Sequence, residues 1–342
     1  MVSPVQQYRF SKNQLTKFFL LNLSKKYWIP LLALSLILGV ASAAIMARKS
    51  LLAINTTNIF ALTKNECPGI KWINTADTTK LHSPIHVEGE LYFAGERVPL
   101  EDPDIRERLD RELIINTNWH SNTLLCMKMA NRYFPDIEKT LIDNGVPTDF
   151  KYLALIESTF RLEPSPAGAA GFWQFVKPTA EKYDMEINEQ VDERYNVDKA
   201  TRGACIYLKD AKEKLGNWTL AAASYNMGLG GATLRAKEQK MNNYYDMYFN
   251  PETSRYVFRM LAMKIIFSNP QKAGFMIKPE ELYQPYKYKV VEVDSSIGSI
   301  ADFAAQFNLK YKHIKILNPW LRDAKLTNKE HHKYQIKIMD NE

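Results

Sequence analysis

The chain has 342 residues, enough for one or two domains with accessory segments, and its 24% charged and 46% hydrophobic side chains are those of a globular protein. Its net charge of +7 is concentrated in the first 26 residues, which hold Arg9, Lys12, Lys17, Lys25 and Lys26 and no acidic residue. Without those five, 40 of the 45 basic side chains face 38 acidic ones, so no strongly basic domain remains and a nucleic-acid partner is excluded.

Tyr27 to Ala47 carries no charge over 21 residues, long enough to cross a bilayer as a helix. Lys25 and Lys26 flank it on one side and Arg48 and Lys49 on the other; the basic leader predicts a cytoplasmic N-terminus with everything downstream outside the cytoplasm. The expectation is a single-pass anchor in the cell membrane. Ala41-Ser42-Ala43 also fits a small-residue cleavage site, which leaves secretion after signal removal as the alternative. Residues 51–102 read as a linker, in which Glu88 to Leu100 forms a short hairpin turning at Ala94-Gly95. The cysteines Cys67, Cys126 and Cys205 match no zinc or redox spacing. Cys126 and Cys205 sit in apolar helical patterns as buried thiols, with a disulfide between them as the alternative. His331-His332 reads as a solvated pair, and no metal or cofactor is implied.

From residue 103 the pattern is helical. Helices are predicted over 104–116, 121–130, 134–143, 178–183, 192–208, 218–225 and 255–267, with Gly228, Gly230 and Gly231 stopping the one at 218–225. The centre of the chain is 150–175, FKYLALIESTFRLEPSPAGAAGFWQF. Phe150, Leu153, Ile156 and Phe160 recur at helical spacing, and Thr148 or Asp149 is placed to cap the helix. Glu157 falls on or beside that apolar stripe. A carboxyl group partly removed from water keeps its proton to higher pH, which is what a general acid requires; a lone Glu at this spacing is also a common surface residue. Pro164, Pro166, Gly168 and Gly171 then build a long turn in which glycine admits a close neighbour, backbone or ligand. Phe172, Trp173, Gln174 and Phe175 interleave aromatic rings with an amide, the chemistry of a carbohydrate cleft. Core packing is the competing reading for the rings.

Four motifs in order carry a resemblance: Glu157-Ser158; Gly171 to Phe175; Ala223-Ser224-Tyr225-Asn226-Met227-Gly228; and Glu252-Thr253-Ser254-Arg255-Tyr256-Val257. Over roughly 103–286 the chain resembles the soluble-type lytic transglycosylases, which have a goose-lysozyme-like fold. The resemblance implies one catalytic Glu, here Glu157. It implies substrate contacts from Ser158, Gly171, Trp173, Gln174, Phe175, Tyr225, Asn226 and Tyr256. The implied substrate is the peptidoglycan glycan strand, cut between N-acetylmuramic acid and N-acetylglucosamine without water. Phe172-Trp173 stands where many relatives have Leu-Met. The acidic residues nearest in sequence, Asp149 and Glu163, lack motif support, and Asp184, Glu186 and Asp192 read as solvated surface.

After residue 286 the order is strand, helix, helix, strand: 286–293, 297–307, 311–318 and 334–338. This resembles LysM, a module that binds N-acetylglucosamine-containing chains. Val293-Asp294 replaces the usual Gly-Asp, and the Lys-rich stretch 325–333 replaces the usual Pro-Gly turn, so the resemblance speaks for the fold more than for binding strength. The expected architecture is mainly α: an N-terminal tail and transmembrane helix (1–50), the linker (51–102), a lysozyme-like lobe (103–285) and a small βααβ LysM-like domain (286–342). The competing functions are a lysozyme-type hydrolase and a non-catalytic peptidoglycan-binding scaffold, against which intact Glu157, Gln174 and Tyr225-Asn226 argue.

Overall fold

The computed structural model describes residues 70–71 and 85–340, all within one compact unit. The apolar run 27–47, the stretch holding Cys67 and most of the linker lie outside the described residues. No helix among the described residues is long and apolar enough to cross a membrane.

The first elements are short strands. Ile70–Lys71 (β1) pairs antiparallel with Glu88–Gly89 (β2), and Leu91–Phe93 (β3) with Glu96–Val98 (β4). Ala94 and Gly95 turn the second hairpin with φ of 53° and 81°, the left-handed pair that suits the twist of a two-residue hairpin. This hairpin is no spacer. Leu91, Phe93 and Val98 are buried in the main core. The Glu96 carboxylate caps a later helix by accepting from Trp218 N (2.5 Å) and Thr219 N (2.9 Å). Asp149, expected as a helix cap, instead binds the hairpin turn through Ala94 N (2.6 Å) and pairs with buried Lys264 (2.8 Å).

The lobe is a helical cluster. Pro103–Asn118 (α1) starts at the Asp102 cap with Pro at its first position. His120–Asp143 (α2) is one helix where two were expected. Pro135 lacks the N–H that would bond back one turn, yet Cys126, Met127, Ala130, Phe134, Ile137 and Leu141 form a single buried stripe through it. Burial along that continuous face outweighs one missing backbone bond. Lys151–Ser158 (α3) follows a 3₁₀ turn at Thr148–Phe150, and every residue from Lys151 to Ile156 is buried. Lys177–Lys182 (α4), Val197–Leu215 (α5) and Trp218–Met227 (α6) come next. Gly228 ends α6, but Leu229–Gln239 (α7) starts at once and contains Gly230 and Gly231, which were read as a stop. Ala232 in the core and the partly buried Leu229 and Ala236 give α7 the apolar side that holds it in place. Pro251–Ser268 (α8) is the central helix, buried from Tyr256 to Phe267 except at Arg259 and packed on α1, α3 and α6. Cys126 on α2 and Cys205 on α5 are buried free thiols, pushed up to about 12 by burial.

The C-terminal part has the expected βααβ order: Tyr288–Val293 (β5), Ile300–Gln306 (α9), Tyr311–Leu317 (α10) and Tyr334–Met339 (β6). The two strands pair antiparallel from Tyr288↔Met339 to Val293↔Tyr334. Their core of Ile300, Ile314, Trp320, Leu321 and Ile336 does not close on itself: it takes in Ala170, Val191 and Tyr195 from the lobe.

Candidate active site

The end of α3 carries the chemistry. With Lys151 to Ile156 all buried, Glu157 is the first position to reach intermediate exposure. Burial still pushes its carboxyl above the usual carboxylate range. The Tyr256 hydroxyl and the Arg259 charge pull it partly back, and the Glu252 carboxylate adds to the rise. Tyr256 is buried and donates its O–H to Glu157 Oε1. Burial first and the Glu157 charge second hold the phenols of Tyr256 and Tyr225 well above their ordinary range, so both remain donors at any pH the protein meets. A carboxyl group in such surroundings keeps a proton toward neutral pH and can hand it to a bound ether oxygen.

Past Glu157 the chain turns sharply. Thr159 and Phe160 both take left-handed backbone, with φ of 49° and 55°, a cost that neighbouring bonds must hold in place. Ser158 Oγ accepts from Phe160 N (3.1 Å) and lies within donor range of the Ala154 (3.1 Å) and Phe172 (3.0 Å) carbonyls. It ties the helix end to the 171–175 turn. Phe160 packs on Phe134 and Phe172 and so continues the core after the helix has stopped.

The turn is held largely by contacts inside the protein. Gly171 is required by the fold: at φ 76° an added Cβ would stand 1.8 Å from the Arg194 carbonyl oxygen. Trp173 is fully buried, and its indole N–H donates to Thr201 Oγ1 (2.9 Å). Phe175 is buried against Tyr183 and Tyr225. Neither ring offers a face to a sugar, because α5 and α6 already cover them. Gln174, at φ 48° and half-buried, bonds its side-chain amide to Gly171 O (2.9 Å).

The α6 end meets this turn. Tyr225 donates its hydroxyl to Trp173 O (2.8 Å) and packs its ring on Tyr207, whose hydroxyl reaches Ser224 O (2.6 Å). Asn226 is half-buried, accepting from Thr253 Oγ1 (2.7 Å) and donating to Glu252 Oε1 (2.9 Å). Thus Glu157, Tyr225, Asn226 and Tyr256 share one neighbourhood, with Ser158, Gly171, Trp173, Gln174 and Phe175 forming the turn beside it.

Sequence reasoning left out Arg259 and the role of Glu252. Arg259 donates to Ile156 O (3.0 Å), the carbonyl just before Glu157. Glu252, Tyr256 and Arg259 are four and three residues apart on α8, one helical face, and that spacing was the available signal. Asp192, read as solvated surface, is buried and bound bidentately by Arg194. Among the described residues no three His, Cys, Asp or Glu side chains gather as a metal site would need.

Two segments match known families: residues 136–255 match the transglycosylase SLT domain, and residues 289–342 the soluble lytic transglycosylase C-terminal LysM-like domain. Both agree with the resemblance carried by the four motifs and the βααβ order. The chain is 27% identical over 249 residues to membrane-bound lytic murein transglycosylase D of Escherichia coli strain K12, and equally to that of Escherichia coli O6:H1. The aligned part is 70% of this chain and 54% of each relative, so the chain spans about half the length of the curated relatives it matches. A solved structure, an inactive mutant of the lytic transglycosylase Slt of Pseudomonas aeruginosa, aligns over 44% of this chain and 26% of its own. That alignment has 20% identity and a TM-score of 0.31.

Proposed function

We propose that this chain cleaves peptidoglycan as a lytic transglycosylase, with Glu157 acting first as acid and then as base. The observation that carries the reading is the Glu157 carboxyl itself: half-buried, raised in pKa by burial, and bonded by Tyr256. In the first step its proton passes to the oxygen linking N-acetylmuramic acid to N-acetylglucosamine, and the C1–O bond breaks. The N-acetylglucosamine leaves with its 4-hydroxyl restored. In the second step the muramoyl C6 hydroxyl bonds to C1, and its proton returns to the Glu157 carboxylate. No water is consumed, and the product is a 1,6-anhydro end. Gln174 and Asn226, the half-exposed amides of the site, orient the sugar, while Ser158, Gly171, Trp173, Phe175 and Tyr256 hold the groups that touch it.

A hydrolase would need a second carboxylate to activate water or attack C1. Glu252 is the one observation in favour of that reading, because it is exposed and its charge reaches Glu157. Its Oε1 accepts from the Asn226 amide, and the ends of the product, anhydro or reducing, decide between the two readings. The uncharged run 27–47 supports placing the enzyme on the outer face of the cytoplasmic membrane, with release after Ala43 as the alternative. The division at residues 50, 102 and 285 is part of this proposal, with the hairpin 91–98 of the linker packed into the core of the lobe.

Mass spectrometry of purified sacculi digested by the wild type and by Glu157→Gln tests it. Anhydro ends from the wild type and a loss of at least about 10³-fold in the variant are expected, within the range a positioned acid supplies. Reducing ends from the wild type would make the enzyme a hydrolase, and undiminished cleavage by the variant would remove Glu157 from its role.

A further inference from the structure

The C-terminal unit meets the site turn directly at Ala170, which sits in its core, and is joined to it by hydrogen bonds through the stretch 186–198. On one side the stretch is sewn to the C-terminal unit. Asp192 N donates to Trp320 O (2.9 Å), Arg322 N to Gln190 O (2.7 Å) and Thr327 N to Gln190 Oε1 (2.7 Å). The Tyr334 hydroxyl donates to Glu186 Oε2 (2.7 Å), and Lys337 pairs with Asp198 (2.9 Å). Val191 and Tyr195 sit in the C-terminal core, and the Arg322 guanidinium lies 4.4 Å over the Tyr195 ring. A module on a loose tether makes no such set of contacts.

On the other side the same stretch grips the turn at 168–175. Arg194 is fixed by a two-pronged bond to Asp192, at 2.9 and 2.7 Å, and its third guanidinium nitrogen donates to Gly168 O (2.8 Å) and Phe175 O (3.3 Å). Those carbonyls stand at the two ends of the turn. The Arg194 carbonyl meanwhile fills the space over Gly171 where any side chain would have stood. The Arg194 side chain therefore holds the turn at both ends, and its backbone carbonyl packs against the middle. The turn in turn holds Tyr225 through the Trp173 carbonyl and Ser158 through the Phe172 carbonyl.

We propose that Arg194 is a positioning residue for the site, and that the C-terminal unit acts on the site through it, as a brace built into the enzyme. The consequence for catalysis rests on the function proposed above; the consequence for the turn does not. Only an arginine meets the demand at this point, since the planar fork binds a carboxylate with one edge while a remaining N–H reaches two carbonyls, and lysine offers a single point.

Hydrogen exchange on the full chain, followed in the peptides covering 168–176, tests the mechanical half. Arg194→Ala and Arg194→Lys should both speed exchange there by about tenfold or more. The double variant Gln190→Ala with Tyr334→Phe removes seam bonds while leaving both cores filled. It should speed exchange in the same peptides while β5 and β6 stay protected. Unchanged exchange at 168–176 in the double variant would overturn the brace, even if Arg194→Ala fails to fold. Steady-state cleavage of soluble glycan strands tests the catalytic half. Arg194→Ala should lose kcat by about tenfold or more with KM within about twofold, and added guanidinium should restore part of it. A fall confined to KM, or no rescue, would overturn the positioning role. If the wild type gives no anhydro ends, the exchange result still stands or falls by itself.

Discussion

Glu157 and Trp173 lie on either side of the same Ser158–Phe172 bond, and each carries the residue type that chemistry would choose: an acid and a large aromatic ring. In the fold they part. Glu157 is the first side chain of its helix to reach solvent, at the edge of six buried positions. Trp173 is buried completely, with its N–H used up inside the protein. For the helix, local periodicity decides which way a side chain points, so the position of the acid could be read from spacing. For the turn no period exists, and what covers a ring is decided by α5 and α6, which arrive from later in the chain. An aromatic residue in a loop carries the same letter whether it packs on a sugar or on another helix.

Gly171→Ala sharpens this contrast with the largest expected loss of stability. The new methyl would meet a backbone oxygen, which cannot swing aside as a flexible side chain would, and φ is in the left-handed region. A cost of about 3 kcal/mol or more follows from strain and overpacking together, read as a lowered urea midpoint at unchanged slope. If the variant instead kept full stability and lost only substrate affinity, the glycine would belong to the ligand after all.

Trp173→Phe comes next. It leaves Thr201 Oγ1 without its donor and shrinks a buried ring, for about 1–3 kcal/mol. Activity per folded molecule should stay within about threefold of the wild type, because the ring is fully buried. A KM raised tenfold or more would restore the stacking role that the buried position denies it.

The same distinction explains how much of the molecule was legible beforehand. The βααβ unit, the hairpin turn at Ala94-Gly95 and most helices follow from local signals. The fusion of the α2 pair across Pro135 was not visible, because it depends on a core face completed by other helices. Nor was the shared core of Ala170, Val191 and Tyr195 with the C-terminal unit, since isolated apolar residues between helices announce no partner. In the candidate site, motifs single out Glu157 and Tyr225, whereas Arg194 and Arg259 bind backbone carbonyls, an assignment no spacing reveals.

The subtlest test concerns the bond between Tyr256 and Glu157. That hydroxyl stabilises the ionised carboxylate, so Tyr256→Phe removes an effect that lowers the Glu157 pKa and leaves the burial that raises it. The carboxyl should then hold its proton to higher pH, and the alkaline limb of the activity profile should move further alkaline. Stability gives an independent reading with a definite sign. Because the folded-state pKa lies above the ordinary 4.5, the native state binds more protons than the unfolded state above pH 4.5, and this group's contribution weakens as pH rises through the folded value. Glu157→Gln, which mimics the protonated form at every pH, should therefore be more stable than the wild type near pH 7. That advantage should vanish as pH falls below about 4.5, as followed by thermal unfolding. A variant less stable than the wild type at pH 7 would mean that the ionised carboxylate is satisfied in place, and the acid would need another origin than burial.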